Sequence, residues 1–440
     1  MLEELNTHSS KTSTSLVLFF ITLRFSATKS QMEPAIHEQD ILIVGGGIAG
    51  LTTALGLHRL GIRSLVLEAS DGLRTTGFAL TLWTNAWIAL DAVGIGDAMR
   101  ANSLPIQGFE VGSLDSTSSS PEQGVETDFK LGKFEKRCVR RTDLLELLER
   151  ELPQGSVRYS SKIVCIEESG NFKLVHLSDG SIFRTKVLLG CDGVNSMVAQ
   201  WLGLKSPVSA ARAAIRGYVV YPDGHNLEPK MYAYFGGGVR VGFVPCDDND
   251  IYWFCTFTPS LFNYDESERD PSKMKQFVIS KIGRARKHVM DVVERTELAN
   301  ISSAHLKFRS PWNILFGDIV RNGVCVAGDA LHPMTPDLGQ GGCSAIEDAV
   351  VLARCLGGAL SEEGDEEDCA KMAKGLERYG KERRWRSFSL VSAAYVVGKL
   401  QESDNKVVSF FRKMFLSKFT VEPFVRMADF DCGKLVVAST

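Results

Sequence analysis

The most constraining feature of the sequence is a glycine pattern between a predicted strand and a predicted helix. The apolar run Asp40-Ile-Leu-Ile-Val44 is typical of a strand covered on both faces, and Gly45-Gly-Gly-Ile-Ala-Gly50 follows it at once. A helical apolar pattern then continues to Gly61, and a second predicted strand over 64–67 ends in Glu68. This order of elements is a βαβ unit, so the sequence predicts an α/β fold with a parallel sheet.

The same residues have the chemistry of a dinucleotide site. Gly45 permits a tight turn, Gly47 lets a pyrophosphate approach the backbone, and Gly50 allows close packing of the helix. The helix N-terminus offers N–H groups and a positive dipole end to the anion. Glu68 can accept hydrogen bonds from both hydroxyls of an adenosine ribose, which favours FAD or NAD. No predicted helix follows Gly236-Gly-Gly238, so the sequence contains one such fingerprint.

The remaining chain divides into an inserted sheet and a returning α/β part. Strands are predicted over 163–166, 172–176 and 182–187, and an aromatic-rich antiparallel sheet is predicted over 212–257. A parallel-type strand returns at 324–327 and is followed by an apolar-striped helix. We therefore predict a discontinuous Rossmann-like FAD/NAD(P)-binding domain, an inserted, mostly antiparallel β-sheet substrate domain, and C-terminal helices. The predicted segments are an extension over 1–35, the cofactor domain over 36–204 and 302–380, the substrate domain over 205–301, and the helical region over 381–440.

Composition excludes several classes of function. The 50 basic and 53 acidic residues are well mixed and give a net charge of −3, which argues against nucleic-acid binding. The ten cysteines form no CxxC motif, so the sequence predicts neither a metal site nor a redox dithiol. No apolar run approaches the ~20 residues of a transmembrane helix.

The first 31 residues are excluded from the fold prediction. They are rich in Ser and Thr around a short apolar stretch at 16–21. They fit a plastid or mitochondrial transit peptide, or sequence upstream of a second start at Met32; a signal peptide fits less well because Glu3 and Glu4 occupy the usual positive region. The expected location is cytoplasmic, or plastid if this segment is a transit peptide.

Three motifs in order indicate a known family. They are the 45–50 pattern, Gly190-Cys-Asp192-Gly193, and the stretch from Gly328-Asp329 to Gly342. Together they resemble the class A FAD-dependent monooxygenases of the para-hydroxybenzoate hydroxylase type. The stretches 73–82 and 341–348 look most like the plant salicylate-hydroxylase-like branch, which is similar to zeaxanthin epoxidase. The resemblance extends over roughly residues 40–400.

The resemblance implies roles for individual residues. Asp329 is expected to hold the ribityl side of FAD, and Arg141 is expected to contact the cofactor. Asp192 belongs to a motif that the family links to both FAD and NAD(P)H binding. The helix opened by Gly341 and Gly342 is expected to point at the pyrimidine edge of the flavin. The predicted cofactor-binding residues are Gly45, Gly47, Ile48, Ala49, Gly50, Glu68, Arg141, Asp192, Asp329, Pro336, Gly339, Gly341, Gly342 and Cys343.

Few side chains are candidates for catalysis. His332 is interpreted either as a proton relay or as a structural residue, and Pro336 is expected to shape the space over the flavin ring. Cys343 is either a reactive thiol at a helix N-terminus or a packed one. Arg216 and Arg240, in the aromatic β region, could bind a substrate carboxylate, form interdomain ion pairs or be solvated.

The resemblance implies a reaction in which NAD(P)H reduces FAD and O2 then forms a flavin hydroperoxide. This species would hydroxylate or epoxidise a small aromatic or olefinic, isoprenoid-like substrate. Two alternatives remain open at this point: a flavin-dependent reductase or dehydrogenase on the same fold, and a non-catalytic flavin-binding interaction protein. The sequence leaves peripheral membrane contact through the helical region with arginines at 383, 384 and 386 open.

Overall fold

A computed structural model of the chain describes residues 36–74, 77–114, 125–130, 134–262, 270–282, 287–402 and 427–436. The predicted extension over 1–35 lies outside these residues. The strands are β1 (Ile36–Val44), β2 (Leu65–Leu67), β3 (Ala79–Trp83), β4 (Gly108–Ser113), β5 (Val125–Lys130), β6 (Lys136–Arg140), β7 (Val157–Arg158), β8 (Ile163–Ser169), β9 (Phe172–Leu177), β10 (Ile182–Gly190), β11 (Val208–Val220), β12 (Lys230–Gly236), β13 (Val239–Pro245), β14 (Asp250–Phe257), β15 (Ile301–Phe308), β16 (Val320–Arg321) and β17 (Val324–Val326). The helices are α1 (Ile48–Arg59), α2 (Thr84–Ala92), α3 (Gly96–Arg100), α4 (Arg141–Arg150), α5 (Met197–Trp201), α6 (Pro271–Ile282), α7 (Lys287–Arg295), α8 (Pro311–Phe316), α9 (Gly341–Leu360) and α10 (Asp368–Glu402).

The first sheet contains the predicted βαβ unit. Its strand order is β16-β17-β10-β1-β2-β7, with β9 and β8 joined antiparallel beside β10. The pairs of β1 with β2, β1 with β10, and β10 with β17 are parallel, which confirms the predicted sheet. Alternate residues of β1 enter separate cores: Ile41 and Ile43 pack on one face of the sheet, and Leu42 and Val44 on the other. Helices α1 and α9 pack against each other.

The second sheet has the order β15-β11-β14-β13-β12-β4-β5. Its strand pairs are antiparallel except β12 with β4, so the predicted antiparallel sheet over 212–257 is confirmed. Strands β4 and β5 fall within the predicted segment 36–204, and all of β15 but its first residue falls within 302–380. The sheet therefore extends beyond 205–301 at both ends, because β4 pairs along the outer edge of β12 and β15 along the outer edge of β11.

The two faces of the second sheet have different environments. One face packs on α6 and α7 through fully buried residues such as Ile215, Phe243 and Trp253. The opposite face has half-buried residues on its central strands. They include two cross-strand pairs, Arg216 with Phe254 and Tyr218 with Tyr252. The aromatic residues of this region thus divide between a packed core and a more accessible surface.

A short ribbon of β3 and β6 joins the second sheet to the cofactor domain. Lys136 and Arg140 lie on the same face of β6 and contact that sheet. The Lys136 Nζ lies 3.0 Å from Met231 Sδ, and Arg140 Nε donates to the Tyr218 hydroxyl at 2.6 Å. We call this line of contacts along β6 the seam.

The long helix α10 begins earlier than predicted, at Asp368, and extends to Glu402. Of the predicted helical region 381–440, residues 403–426 and 437–440 lie outside the described part of the chain. Residues 427–436 are not helical, in contrast to the predicted helical region, and they pack against the body of the protein, with Ala428 and Cys432 buried. In the described ranges, no helix combines the length and apolar character needed to cross a membrane.

The arginine cluster of α10 is directed inward. Arg383 is fully buried, Arg386 bonds to Glu347, and Arg384 donates to three backbone carbonyls at 314, 315 and 317. These three arginines therefore make their polar contacts within the protein and do not form an exposed basic patch. Their charges are satisfied within the protein.

Candidate cofactor site

The glycine turn after β1 is too tight for side chains at two positions. Gly45 has φ +101°, and a Cβ there would lie 2.5 Å from the carbonyl oxygen of Cys191. A Cβ on Gly50 would lie 1.9 Å from the carbonyl oxygen of Gly45. Gly47 differs, because a Cβ at this position would meet no atom within 4 Å. The backbone at the start of α1 therefore faces open space, as a pyrophosphate site requires.

Glu68 is oriented by the backbone around it. Its side chain is buried, and its carboxylate accepts hydrogen bonds from the N–H of Gly46 at 2.6 Å and of Ser70 at 2.9 Å. Arg74 Nη2 lies 3.5 Å from the same carboxylate. These contacts fix an acidic group beside the glycine turn, at the position expected for ribose binding.

Arg141 and Asp329 approach Glu68 from other elements. Burial lowers the pKa of Arg141, as does the nearby charge of Arg74, while Glu68 and Asp329 are close enough to oppose this effect. Arg141 also donates to the carbonyl of Arg74. The structure thus brings together three predicted site residues that are far apart in sequence.

Asp329 is solvent-accessible between two buried neighbours. Enough protein surrounds its side chain for desolvation to raise the pKa of the carboxyl. The charges of His332, Arg216 and Arg141 act on the same carboxyl and favour its ionised form. An accessible carboxylate in these surroundings can accept hydrogen bonds from a ligand with hydroxyl groups, such as the ribityl chain of FAD.

The Asp192 side chain forms hydrogen bonds with residues that follow it closely in the chain. Its carboxylate accepts hydrogen bonds from Ser196 Oγ at 2.5 Å and from the N–H of Met197 at 2.7 Å, at the start of α5. Burial raises the pKa of Asp192, and these hydrogen bonds oppose the shift. The Asp192 loop also packs against Gly45, so this motif supports the glycine turn.

The loop before α9 provides another part of the site. Pro336 is exposed, and Gly339 adopts φ +64°. A Cβ on Gly339 would lie 3.4 Å from Trp83 Nε1, a buried donor with no hydrogen-bond partner among the described residues. The first N–H groups of α9, at Gly341 and Gly342, have no intrahelical acceptor. Free donors of this kind fit the polar edge of a flavin ring.

Cys343 is a packed thiol. Its Sγ accepts from the N–H of Trp83 at 3.4 Å and lies 3.6 Å from the carbonyl oxygen of Gly339. Burial raises the pKa of Cys343 to about 12, despite its place in the first turn of a helix. Of the two interpretations of this residue, the structure supports the packed thiol.

Alkylation provides a direct check on Cys343. At neutral pH we expect iodoacetamide to modify the exposed Cys165 and to leave Cys343 unmodified in the folded protein, because the Cys343 thiol is buried and uncharged. Peptide mass mapping before and after unfolding would measure this. Rapid labelling of Cys343 in the folded state would contradict the assignment.

His332 belongs to a fully buried polar network. Its Nε2 lies 2.6 Å from Asp348 Oδ2, which also accepts from the N–H of Gly328 at 2.7 Å. Arg383 Nε donates to Asp348 Oδ1 at 2.6 Å, and Arg383 Nη1 lies 2.7 Å from Glu347 Oε2. The network therefore fixes the backbone at Gly328, the residue before Asp329, through the hydrogen bond to Asp348. This arrangement supports the structural interpretation of His332 over the proton relay.

The pKa of Asp348 makes the network sensitive to acid. Burial alone would raise the pKa of Asp348, but His332 and Arg383 lower it from the ordinary 3.8 to about 2. A depressed carboxyl pKa stabilises the fold above the ordinary value, and the contribution is lost as pH falls through the folded value. We expect about 2 kcal/mol of unfolding free energy to disappear between these limits. Urea unfolding against pH should show a shallower acid slope in Asp348→Asn; an unchanged slope would contradict this.

An ion triad connects the cofactor loop to the second sheet. Asp337, which follows Pro336, lies 2.7 Å from Arg212 Nη1 on β11 and 3.6 Å from Arg240 Nη1 on β13. All three residues are buried. Arg240 therefore forms an interdomain ion pair, which is one of the possibilities that the sequence left open. The ion pairs with Asp337 hold the sheet face that carries Arg216 and Tyr252 against the cofactor loop. We call the space between this face and the loop 328–342 the chamber.

Comparison with known proteins agrees with this geometry. The model of the FAD binding domain family matches residues 38–394. Monooxygenase 2 of Arabidopsis thaliana is 48% identical over 405 residues, which cover 90% of this chain and 98% of that protein. Monooxygenase 1 of the same plant is 35% identical over 410 residues, covering 91% of this chain and 100% of that protein.

Solved structures show the same fold. Klebsiella pneumoniae HpxO, complexed with FAD and uric acid, is 23% identical with a TM-score of 0.75, over 90% of this chain and 96% of that chain. P. aeruginosa PqsL in complex with 2-aminobenzoylacetate is 19% identical with a TM-score of 0.68, over 86% and 100% of the two chains. The chain belongs to the FAD binding domain family and is an FAD-dependent monooxygenase, which confirms the resemblance of its three motifs.

Proposed function

We propose that the protein uses NAD(P)H and O2 to hydroxylate or epoxidise a small aromatic or olefinic substrate bound in the chamber. The observation that carries this proposal is the meeting of the cofactor loop with the half-buried sheet face. Asp329 and Arg216 are close enough for the guanidinium to act on the pKa of the Asp329 carboxyl. This interaction and the Asp337 triad together support a cofactor site that borders the sheet face.

The wall of the chamber suits a flat, partly polar substrate. Tyr252 is half-buried, and burial raises the pKa of its phenol while Arg216 opposes the shift. The Phe254 ring centroid lies 6.4 Å from that of Tyr252. Aromatic side chains provide apolar contact area for a ring, and Arg216 provides donors for an acidic or acceptor group. The ligands named in the two solved relatives, uric acid and 2-aminobenzoylacetate, are small acceptor-bearing ring compounds.

The protein's part in the reaction is to bind, orient and exclude water. Bound FAD would supply the redox chemistry, taking reducing equivalents from NAD(P)H and activating O2. The glycine turn, Glu68, Arg141 and Asp329 would hold the cofactor. The Asp337 triad would keep the sheet face closed against the loop, so that water is excluded from the reacting atoms.

Isotope labelling would test the reaction. The FAD-loaded protein would be mixed anaerobically with NADPH or NADH, and then with 18O2 and a panel of hydroxylated aromatic and olefinic compounds. We expect the flavin absorption to bleach and then recover, with one 18O atom in a product. Turnover of NAD(P)H and a reduced product without 18O would support the reductase alternative. A flavin that neither nicotinamide reduces would support the non-catalytic alternative.

Arg216 should affect substrate binding in the chamber. We expect Arg216→Met to raise the KM for an acidic aromatic substrate by about ten-fold or more, because a charge-assisted hydrogen bond is lost. Arg295→Met is a matched control, since Arg295 is exposed on α7 and bonds to Asp291. Steady-state kinetics would measure both variants. An equal KM in the two variants would remove Arg216 from the substrate site.

A further inference from the structure

Two cysteines meet at the centre of the seam. Cys138 lies on the same face of β6 as Lys136 and Arg140, and Cys246 follows β13 of the second sheet. The two Sγ atoms are 3.2 Å apart, and both residues are free thiols that are almost completely buried. A disulfide bond is about 2.05 Å long, so closure needs a shift of only about 1 Å.

We propose that Cys138 and Cys246 form a dithiol that hydrogen peroxide oxidises to a disulfide across the seam. In the first step the Cys138 thiolate attacks the O–O bond of peroxide, which gives a sulfenic acid and hydroxide. The Cys246 thiol then attacks that sulfur, forms the S–S bond and releases water. The hydroxide takes up the proton released from Cys138, so the balance is two thiols and one peroxide to one disulfide and two waters.

Lys136 supplies the base for the first step. Its Nζ lies 4.2 Å from the Trp83 ring centroid and 4.3 Å from that of Phe109, and no carboxylate of a described residue pairs with it. Burial lowers the pKa of Lys136 to about 7, and a thiolate on Cys138 would favour its charged form. Lys136 lies two residues from Cys138 on the same strand face, and its neutral amine is the proposed acceptor of the thiol proton.

The oxidant can originate next to the pair. The Cys138 and Cys246 thiols both lie close enough to raise the pKa of Tyr252, together with the larger effect of burial, and Tyr252 lines the chamber. Peroxide released there by oxygen activation without substrate is the proposed oxidant of the pair. The disulfide would then fix the second sheet to the β3–β6 ribbon.

Peptide mapping of the whole protein tests the proposal with added peroxide, independently of turnover. The reduced protein would be treated with hydrogen peroxide, blocked with N-ethylmaleimide during unfolding, and digested without reduction. We expect a linked peptide that contains Cys138 and Cys246 and that dithiothreitol separates. If both cysteines remain alkylatable while the exposed Cys165 is oxidised, the proposal is overturned.

Matched variants distinguish the role of the two cysteines from the role of Lys136. Cys138→Ser and Cys246→Ser should each abolish the linked peptide, whereas Cys255→Ser, on β14, should retain it. Lys136→Met should slow its formation by about ten-fold. An unchanged rate in Lys136→Met would overturn the role of Lys136, and a linked peptide in Cys138→Ser would overturn the pairing. The wild-type map decides the proposal even if a variant fails to fold.

Discussion

Replacing Arg383 with Met is expected to lower the free energy of unfolding by about 3 to 5 kcal/mol, because it leaves two buried carboxylates without their shared cation. Arg383 is fully buried between Glu347 and Asp348, and both acidic side chains are equally inaccessible. Methionine fills a similar volume but cannot neutralise them. Urea unfolding of the cofactor-free protein would measure the change.

Two comparisons make the Arg383 result specific. Arg378→Met, earlier on α10, removes an exposed pair with Glu362 and should change the unfolding midpoint little. Adding Glu347→Gln and Asp348→Asn to Arg383→Met should recover part of the loss, because the uncompensated charges are removed. Equal shifts in Arg383→Met and Arg378→Met would contradict the buried network as a source of stability.

Gly47→Ala should separate cofactor binding from folding. Gly47 has φ −87° and ψ −170°, a conformation that alanine adopts readily, and its Cβ would enter open space. The cofactor-free protein should therefore keep its stability. The added methyl group would occupy the approach to the helix N-terminus, and we expect FAD affinity to fall by about 100-fold, or about 2.7 kcal/mol. Titration of flavin fluorescence would measure the dissociation constant.

Gly358→Ala is the control for this substitution. A Cβ on Gly358 would also meet no atom within 4 Å, but this residue lies exposed near the end of α9, far along the chain from the glycine turn. We expect its FAD affinity to match that of the natural protein. If both alanine variants bind FAD normally, the pyrophosphate does not approach Gly47, and the assignment of the turn is wrong.

The parts of the fold that are encoded locally could be predicted from the sequence. The strand before Gly45, the helix after it and the acidic end of β2 follow from patterns within about 30 residues. The aromatic sheet and the strand at 324–326 were also visible as local β patterns. In the candidate site, Gly45 and Gly50 form the tight turn that their motif indicates and Glu68 lies beside it, whereas the cofactor roles of Glu68 and Asp329 stay predictions.

The remaining features depend on contacts between distant segments. Nothing near β4 indicates that it pairs with β12, because strand pairing depends on tertiary packing. In the Asp337 triad, Arg212 and Asp337 are 125 positions apart in the sequence. No rule of sequence spacing predicts that they form an ion pair. Asp348 offered one signal: an acidic residue in an apolar helix face requires a buried partner. The arginine cluster of α10 supplies that partner, although its sequence alone resembled a solvated basic patch.

The alternation of side chains along β11 and β14 has an evolutionary consequence. Ile215 and Trp253 maintain the core with α6 and α7, while their neighbours Arg216 and Phe254 face the chamber. Because successive positions belong to different environments, selection can change one set without disturbing the other. Substitutions that change substrate preference among relatives should therefore occur at every second position of these strands. The residues at the intervening positions, which form the core, should vary little.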